Sequence, residues 1–116
     1  MEKSPNPMVT IIVKMKVRPE KHKELFQTVF SIAQHVRKEN GCLNLGFYLN
    51  AENENDFLMV EEWASQKDWD DHQQSDIFTV LRGAGSLMRR PPEILVHTVS
   101  RPTELEHWSP KSNGRE

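Results

Sequence analysis

Glu61 and Trp63 stand two apart in the segment F-L-M-V-E-E-W-A-S. In an extended strand that spacing puts both side chains on one face. Trp63 offers a large flat apolar surface with a single N–H donor, which suits an aromatic ligand; the plainer reading is a core or interface tryptophan. A carboxyl such as Glu61 among Phe57 and Met59 is either a buried acid–base group with a raised pKa or the structural partner of an arginine or lysine. His72 follows in D-H-Q-Q-S-D-I-F. Its imidazole can take a proton from a phenol or enol near neutral pH, or can simply fix a helix turn by hydrogen bonding. Asn44 and Tyr48 share one face of a preceding strand and could orient a carbonyl or hydroxyl, although polar groups on a sheet face are more often solvated. Phe78, Leu81 and Arg82 occupy adjacent helical turns. The first two read most simply as core, while Arg82 either neutralises an enolate or peroxide anion at a pocket mouth or forms a surface salt bridge.

Other chemistries have little support. Gly83-Ala84-Gly85 follows a helix instead of joining a strand to one, so it is no dinucleotide loop. The five histidines, His22, His35, His72, His97 and His107, show no paired metal-ligand spacing. No serine sits in a nucleophile elbow. The only cysteine, Cys42, excludes an intramolecular disulfide and reads as a small buried hydrophobe. A formal net charge of −2, with Arg89-Arg90 the nearest basic cluster, argues against a nucleic-acid partner. No apolar run is long enough for a membrane span, and no signal-peptide pattern precedes the first strand, so a cytoplasmic location is expected.

The elements that would position these groups are readable from periodicity. Met8–Val17 is β-branched and alternating, with Val9, Ile11, Val13, Met15 and Val17 on one face, and predicts a strand. Pro19 and Glu20 open a helix to about Glu39, with an apolar stripe through Leu25, Phe26, Val29, Ile32, Ala33 and Val36. Asn40-Gly41 ends it. Cys42–Asn50 predicts a second strand, with Leu43, Leu45, Phe47 and Leu49 facing away from Cys42, Asn44, Gly46 and Tyr48. Asn50–Asn55 reads as a hairpin loop and Asp56–Ala64 as the third strand. Ser65 caps a short helix to about Gln73, with Asp68 completing a capping box, and Ser75 caps another that Gly83 and Gly85 weaken. Glu93–Ser100 predicts the last strand. The order βαββαβ implies a ferredoxin-like α+β domain over 8–100, an antiparallel sheet with its helices on one face. Residues 1–7 read as a flexible N-terminus. Residues 101–116 read as a polar tail whose Trp108 docks onto its own pocket or a partner subunit, or else is disordered. Apolar groups on both sheet faces call for something to cover the second one.

Gly41-Cys42, Glu61-x-Trp63, His72-x-x-Ser75 and the following Phe78 resemble the loose signature of the antibiotic biosynthesis monooxygenase family, over roughly Met8 to Ser100. The resemblance implies a homodimer in which two sheets pack into a dimeric α+β barrel. It also implies cofactor-independent oxidation of aromatic polyketide-like or quinol substrates by O2, with no metal or flavin. A base deprotonates the phenolic substrate, and the electron-rich anion reduces O2 directly and collapses through a hydroperoxide to a quinone. Carried over, Trp63 would line the pocket with Glu61, Tyr48, Asn44 and Phe78 around the substrate, His72 would be the base, and Arg82 would stabilise the anion. A second branch of the fold degrades haem. Its pattern asks for an asparagine on the first strand and a histidine four positions after Phe78, where this chain has none and Arg82. A third branch processes a phosphorylated signalling sugar, for which Arg82, Arg89 and Arg90 are candidate phosphate ligands. The alternative from a different class is a dimeric small-molecule binding or regulatory module without catalysis.

Overall fold

A computed structural model describes residues 7–100. The expected docking of Trp108, and the termini on either side of the described segment, lie outside it. Strand β1 (Met8–Lys16) is followed by a 3-10 turn (Pro19–Lys21) and helix α1 (His22–Val36), then β2 (Cys42–Asn50) and β3 (Asn53–Trp63). Helices α2 (Gln66–Gln73) and α3 (Asp76–Gly83), a 3-10 turn (Ala84–Leu87) and β4 (Glu93–Val99) complete the order. The four strands form one antiparallel sheet in the order β2-β3-β1-β4. This is the ferredoxin-like α+β arrangement that the element order implies.

The sheet has one dry face. Val9, Ile11, Val13 and Met15 of β1 and Phe57, Met59, Glu61 and Trp63 of β3 are all buried there. Register explains the match: Val9 pairs with Trp63, Ile11 with Glu61, Val13 with Met59 and Met15 with Phe57. The apolar stripe of α1, Leu25, Val29, Ile32, Ala33 and Val36, closes over this face in a single core with Phe78, Leu81 and Trp69. The other face carries Ile12, Leu58, Val60 and Leu95 only half-buried.

Helix α1 ends three residues before the expected Glu39. The Lys38 N–H donates to the His35 carbonyl and the Glu39 N–H to the Val36 carbonyl, so the last turn tightens to 3-10 geometry. Gly41 then reverses the chain at a φ of 88°, a conformation that side chains with a Cβ avoid. Strand β2 differs from its expected alternation. A register shift falls between Cys42, opposite Trp63, and Asn44, opposite Glu62. Leu43 is the extra residue of that bulge, so it turns outward, 59% exposed, and Cys42 packs against the core instead. The hairpin is tighter than Asn50–Asn55. Its Asn50 and Asn53 are paired across the turn, and their side-chain oxygens accept from the N–H groups of Glu52 and Asn55, so β3 starts at Asn53. The short helices follow their caps. Asp68 N–H donates to Ser65 Oγ at 3.2 Å and Phe78 N–H to Ser75 Oγ at 3.3 Å. Helix α3 stops at Gly83, where the glycine-weakened stretch passes into the 3-10 turn.

Candidate functional site

Helix α2 is anchored by its Ser65 cap at the end of β3, and its last turn carries His72 back over the sheet. There the ring stacks on Trp63, with centroids 4.7 Å apart and planes 27° from parallel. Phe78 of α3 meets it edge-on at 5.4 Å, and Trp69 closes a third side at 5.7 Å. His72 is 3% exposed inside this aromatic cage. Its Nδ1 lies 2.9 Å from the carboxylate of Glu39, in the turn that follows α1. A carboxylate only accepts, so Nδ1 carries the hydrogen and neutral His72 keeps its lone pair on Nε2. Among the described residues Nε2 has no hydrogen-bond partner.

Beneath the ring, Trp63 Nε1–H donates to Glu61 Oε1 at 2.8 Å. Burial, foremost, pushes the Glu61 carboxyl above its usual range, and the nearby Glu39 charge adds to that rise. The Trp63 hydrogen bond and the charge of His72 oppose it. Cys42, across the sheet from Trp63, is pushed up to about 11 by burial first and by the Glu61 charge second. At neutral pH it is a thiol and no nucleophile. Among the described residues no group of three or more histidine, cysteine or carboxylate side chains is placed to hold a metal.

Four of the residues singled out in the sequence therefore converge: Glu61, Trp63, His72 and Phe78. Trp63 is fully buried, so its surface backs the imidazole of His72 and none of it is open to a ligand. Phe47, Phe57 and Met59 are likewise spent on packing. The open space lies outside His72, a cavity of about 570 Å³ between the end of α1 and the two short helices. Arg82 is exposed and does not line it. Its guanidinium sits 5.0 Å from the Phe78 ring centroid, on a different depression that it shares with Met88 and Pro91. Asn44 and Tyr48 are not brought to His72 either. Paired with Glu62 and Leu58, they lie on the opposite sheet face, where Tyr48 borders a separate cavity of about 360 Å³.

Glu39 is the site residue that periodicity passed over, as the last position of a helix. A signal was present: a carboxylate at a helix C-terminus opposes the macrodipole, and such a placement calls for another partner, here His72.

The antibiotic biosynthesis monooxygenase family profile matches residues 8–83. YcnE of Bacillus subtilis, provisionally named a monooxygenase, is 28% identical over 91 residues, 78% of this chain and 96% of its own length. An uncharacterized protein of Synechocystis is 26% identical over 93 residues. That match takes in 79% of this chain but only 63% of the Synechocystis protein, so the chain spans less than two thirds of that relative. A conserved protein of Methanosarcina mazei, solved by crystallography, superposes with a TM-score of 0.74 at 28% identity, covering 78% of this chain and 91% of its own.

Proposed function

Because the chain belongs to the antibiotic biosynthesis monooxygenase family, we propose that it is a monooxygenase that oxidises small phenolic or quinol substrates with O2 and without a metal, flavin or nicotinamide. The observation that carries this reading is the Glu39–His72 pair beside an open cavity. One imidazole nitrogen is held by a carboxylate and the other is without a protein partner among the described residues, which is the arrangement of an oriented general base.

His72 Nε2 takes a proton from the substrate, and Glu39 balances the imidazolium that results. The substrate anion is then electron-rich enough to reduce O2, and a carbon–oxygen bond forms to give a hydroperoxide. Loss of water from a carbon that still bears hydrogen leaves a carbonyl. One oxygen atom stays in the product and the other departs in water, so the substrate supplies every electron. Trp63, Trp69 and Phe78 exclude water from all but one side of the imidazole and fix its plane. Glu61 in turn fixes the Trp63 indole. A second copy of the chain on the open sheet face, over Ile12, Leu58, Val60 and Leu95, completes the barrel in this reading. Those side chains are half-buried, and a small domain gains stability by covering them.

Oxygen uptake by the purified protein on a panel of hydroquinones and anthrones tests the reading. With no cofactor added, we expect uptake well above autoxidation, and a His72→Gln variant that returns it to the background. Uptake at the autoxidation rate across the panel would remove the assigned chemistry.

A further inference from the structure

The cavity beside His72 has a one-sided charge. Glu39, Asp68, Asp71 and Asp76 line it, and no lysine or arginine does. These carboxylates are not equally free. Glu39 is engaged by His72, Asp68 accepts from Ser65 Oγ at 3.0 Å, and Lys67 pairs with Asp71 at 2.8 Å in an exposed contact. Asp76 has no hydrogen-bond or ion-pair partner among the described residues. An acidic rim alone would say little. The independent observation is His72 itself, which is 3% exposed, lines the same cavity and leaves Nε2 without a partner among the described residues. A buried imidazole that keeps one nitrogen without a protein partner, on a residue that lines open space, is a place for a polar ligand atom.

We propose that this cavity selects its substrate by charge, admitting phenols and quinols that are neutral or carry an amine and discriminating against anionic ones. The proposal rests on the monooxygenase reading for the phenolic group and adds the charge class to it. Once Nε2 has taken the phenolic proton, the imidazolium is balanced by Glu39, and the phenolate faces Asp71 and Asp76 in a cavity that no lysine or arginine lines and in which His35 is the other imidazole. An ammonium group on the substrate restores the balance by pairing with the rim. A carboxylate, sulfonate or phosphate adds a like charge in the same space. For unit charges several ångströms apart near a protein surface, partly screened by salt, the difference amounts to on the order of tenfold in Kd between a cationic and an anionic analogue. The same field disfavours haem propionates and phosphorylated sugars.

Three catechols of similar size isolate the effect: dopamine, methylcatechol and dihydroxyphenylacetate, which are cationic, neutral and anionic at neutral pH. Each is titrated without oxygen against the intrinsic fluorescence of Trp63 and Trp69, which pack against His72. We expect dopamine to bind tightest and dihydroxyphenylacetate weakest, with the spread shrinking at high salt. In the Asp71→Asn, Asp76→Asn double variant, whose fold is checked by circular dichroism, the spread between dopamine and dihydroxyphenylacetate collapses. Equal or tighter binding of the anion, an order that survives loss of both charges, or no binding by any of the three overturns the proposal. Charge-ordered binding without oxygen uptake would keep the proposal and remove the monooxygenase reading. Oxygen uptake without charge order would do the reverse.

Discussion

Glu39 bonds His72 directly and Glu61 feels its charge from beneath Trp63, so the structure puts the two carboxyls to different uses. Glu61 is buried and holds Trp63, and burial raises its pKa above the usual range. A carboxyl that binds its proton more tightly folded than unfolded contributes stability below its ordinary pKa and loses it as pH rises through the folded value. Glu61→Gln keeps an acceptor for the Trp63 N–H and carries no charge. We expect that variant to melt higher than the parent at about pH 8, by roughly 5 °C for each kcal/mol recovered, with the gain vanishing towards about pH 4. Thermal melts across that range check it, and a constant difference would contradict it. Glu39 acts through the tautomer of His72. Nitrogen NMR should find the neutral ring protonated at Nδ1 in the parent and shifted towards Nε2–H in Glu39→Ala. Glu39→Gln, whose amide oxygen still accepts, should keep the Nδ1–H form. Loss of the oriented base should lower kcat at least about tenfold in Glu39→Ala, with KM little changed. The spacing of Glu61, Trp63, His72 and Phe78 was legible because alternation and helical periodicity fix which face each residue takes. Glu39 was not, because its partner is 33 residues away and no local pattern records a contact of that range.

The elements carry information of a different kind. Both short helices begin where a serine can cap them, and the capping signals named Ser65 and Ser75 directly. Strand faces followed from alternation in β1 and β3. The bulge at Leu43 broke the rule in β2, since one extra residue inverts every face before it and nothing in C-L-N-L-G-F marks the insertion. Gly41 joins these elements to the site. Its φ is 88°, and a Cβ there would overlap the side chain of Asp68, the residue that shares its hydrogen bonds with Ser65 at the start of α2. Gly41→Ala is therefore expected to cost about 2 kcal/mol or more, the left-handed backbone supplying about half of that. Because α2 carries His72, the variant should also alter tryptophan fluorescence around the Trp63 stack. Urea unfolding measures the first effect and the emission spectrum the second. A neutral outcome in both would mean that the turn does not position the helix.

At the scale of the molecule the fold was legible because βαββαβ order, a single dry sheet face and one amphipathic helix admit few arrangements. The partner was not, since the open face shows only that Ile12, Leu58, Val60 and Leu95 are half-buried. If a second copy covers them, an Ile12→Lys, Leu95→Lys double variant should run as a monomer by light scattering while the parent runs as a dimer. A parent that is monomeric at micromolar concentration would exclude the assembly. The reaction itself is tested most directly by following isotope-labelled O2. With purified protein, a hydroquinone or anthrone that turns over, and no added metal, flavin or nicotinamide, we expect one labelled oxygen atom in the quinone product and the other in water. His72→Gln should abolish the incorporation. Product oxygen drawn from water, or labelling that persists unchanged without His72, would contradict a cofactor-free monooxygenase centred on that histidine.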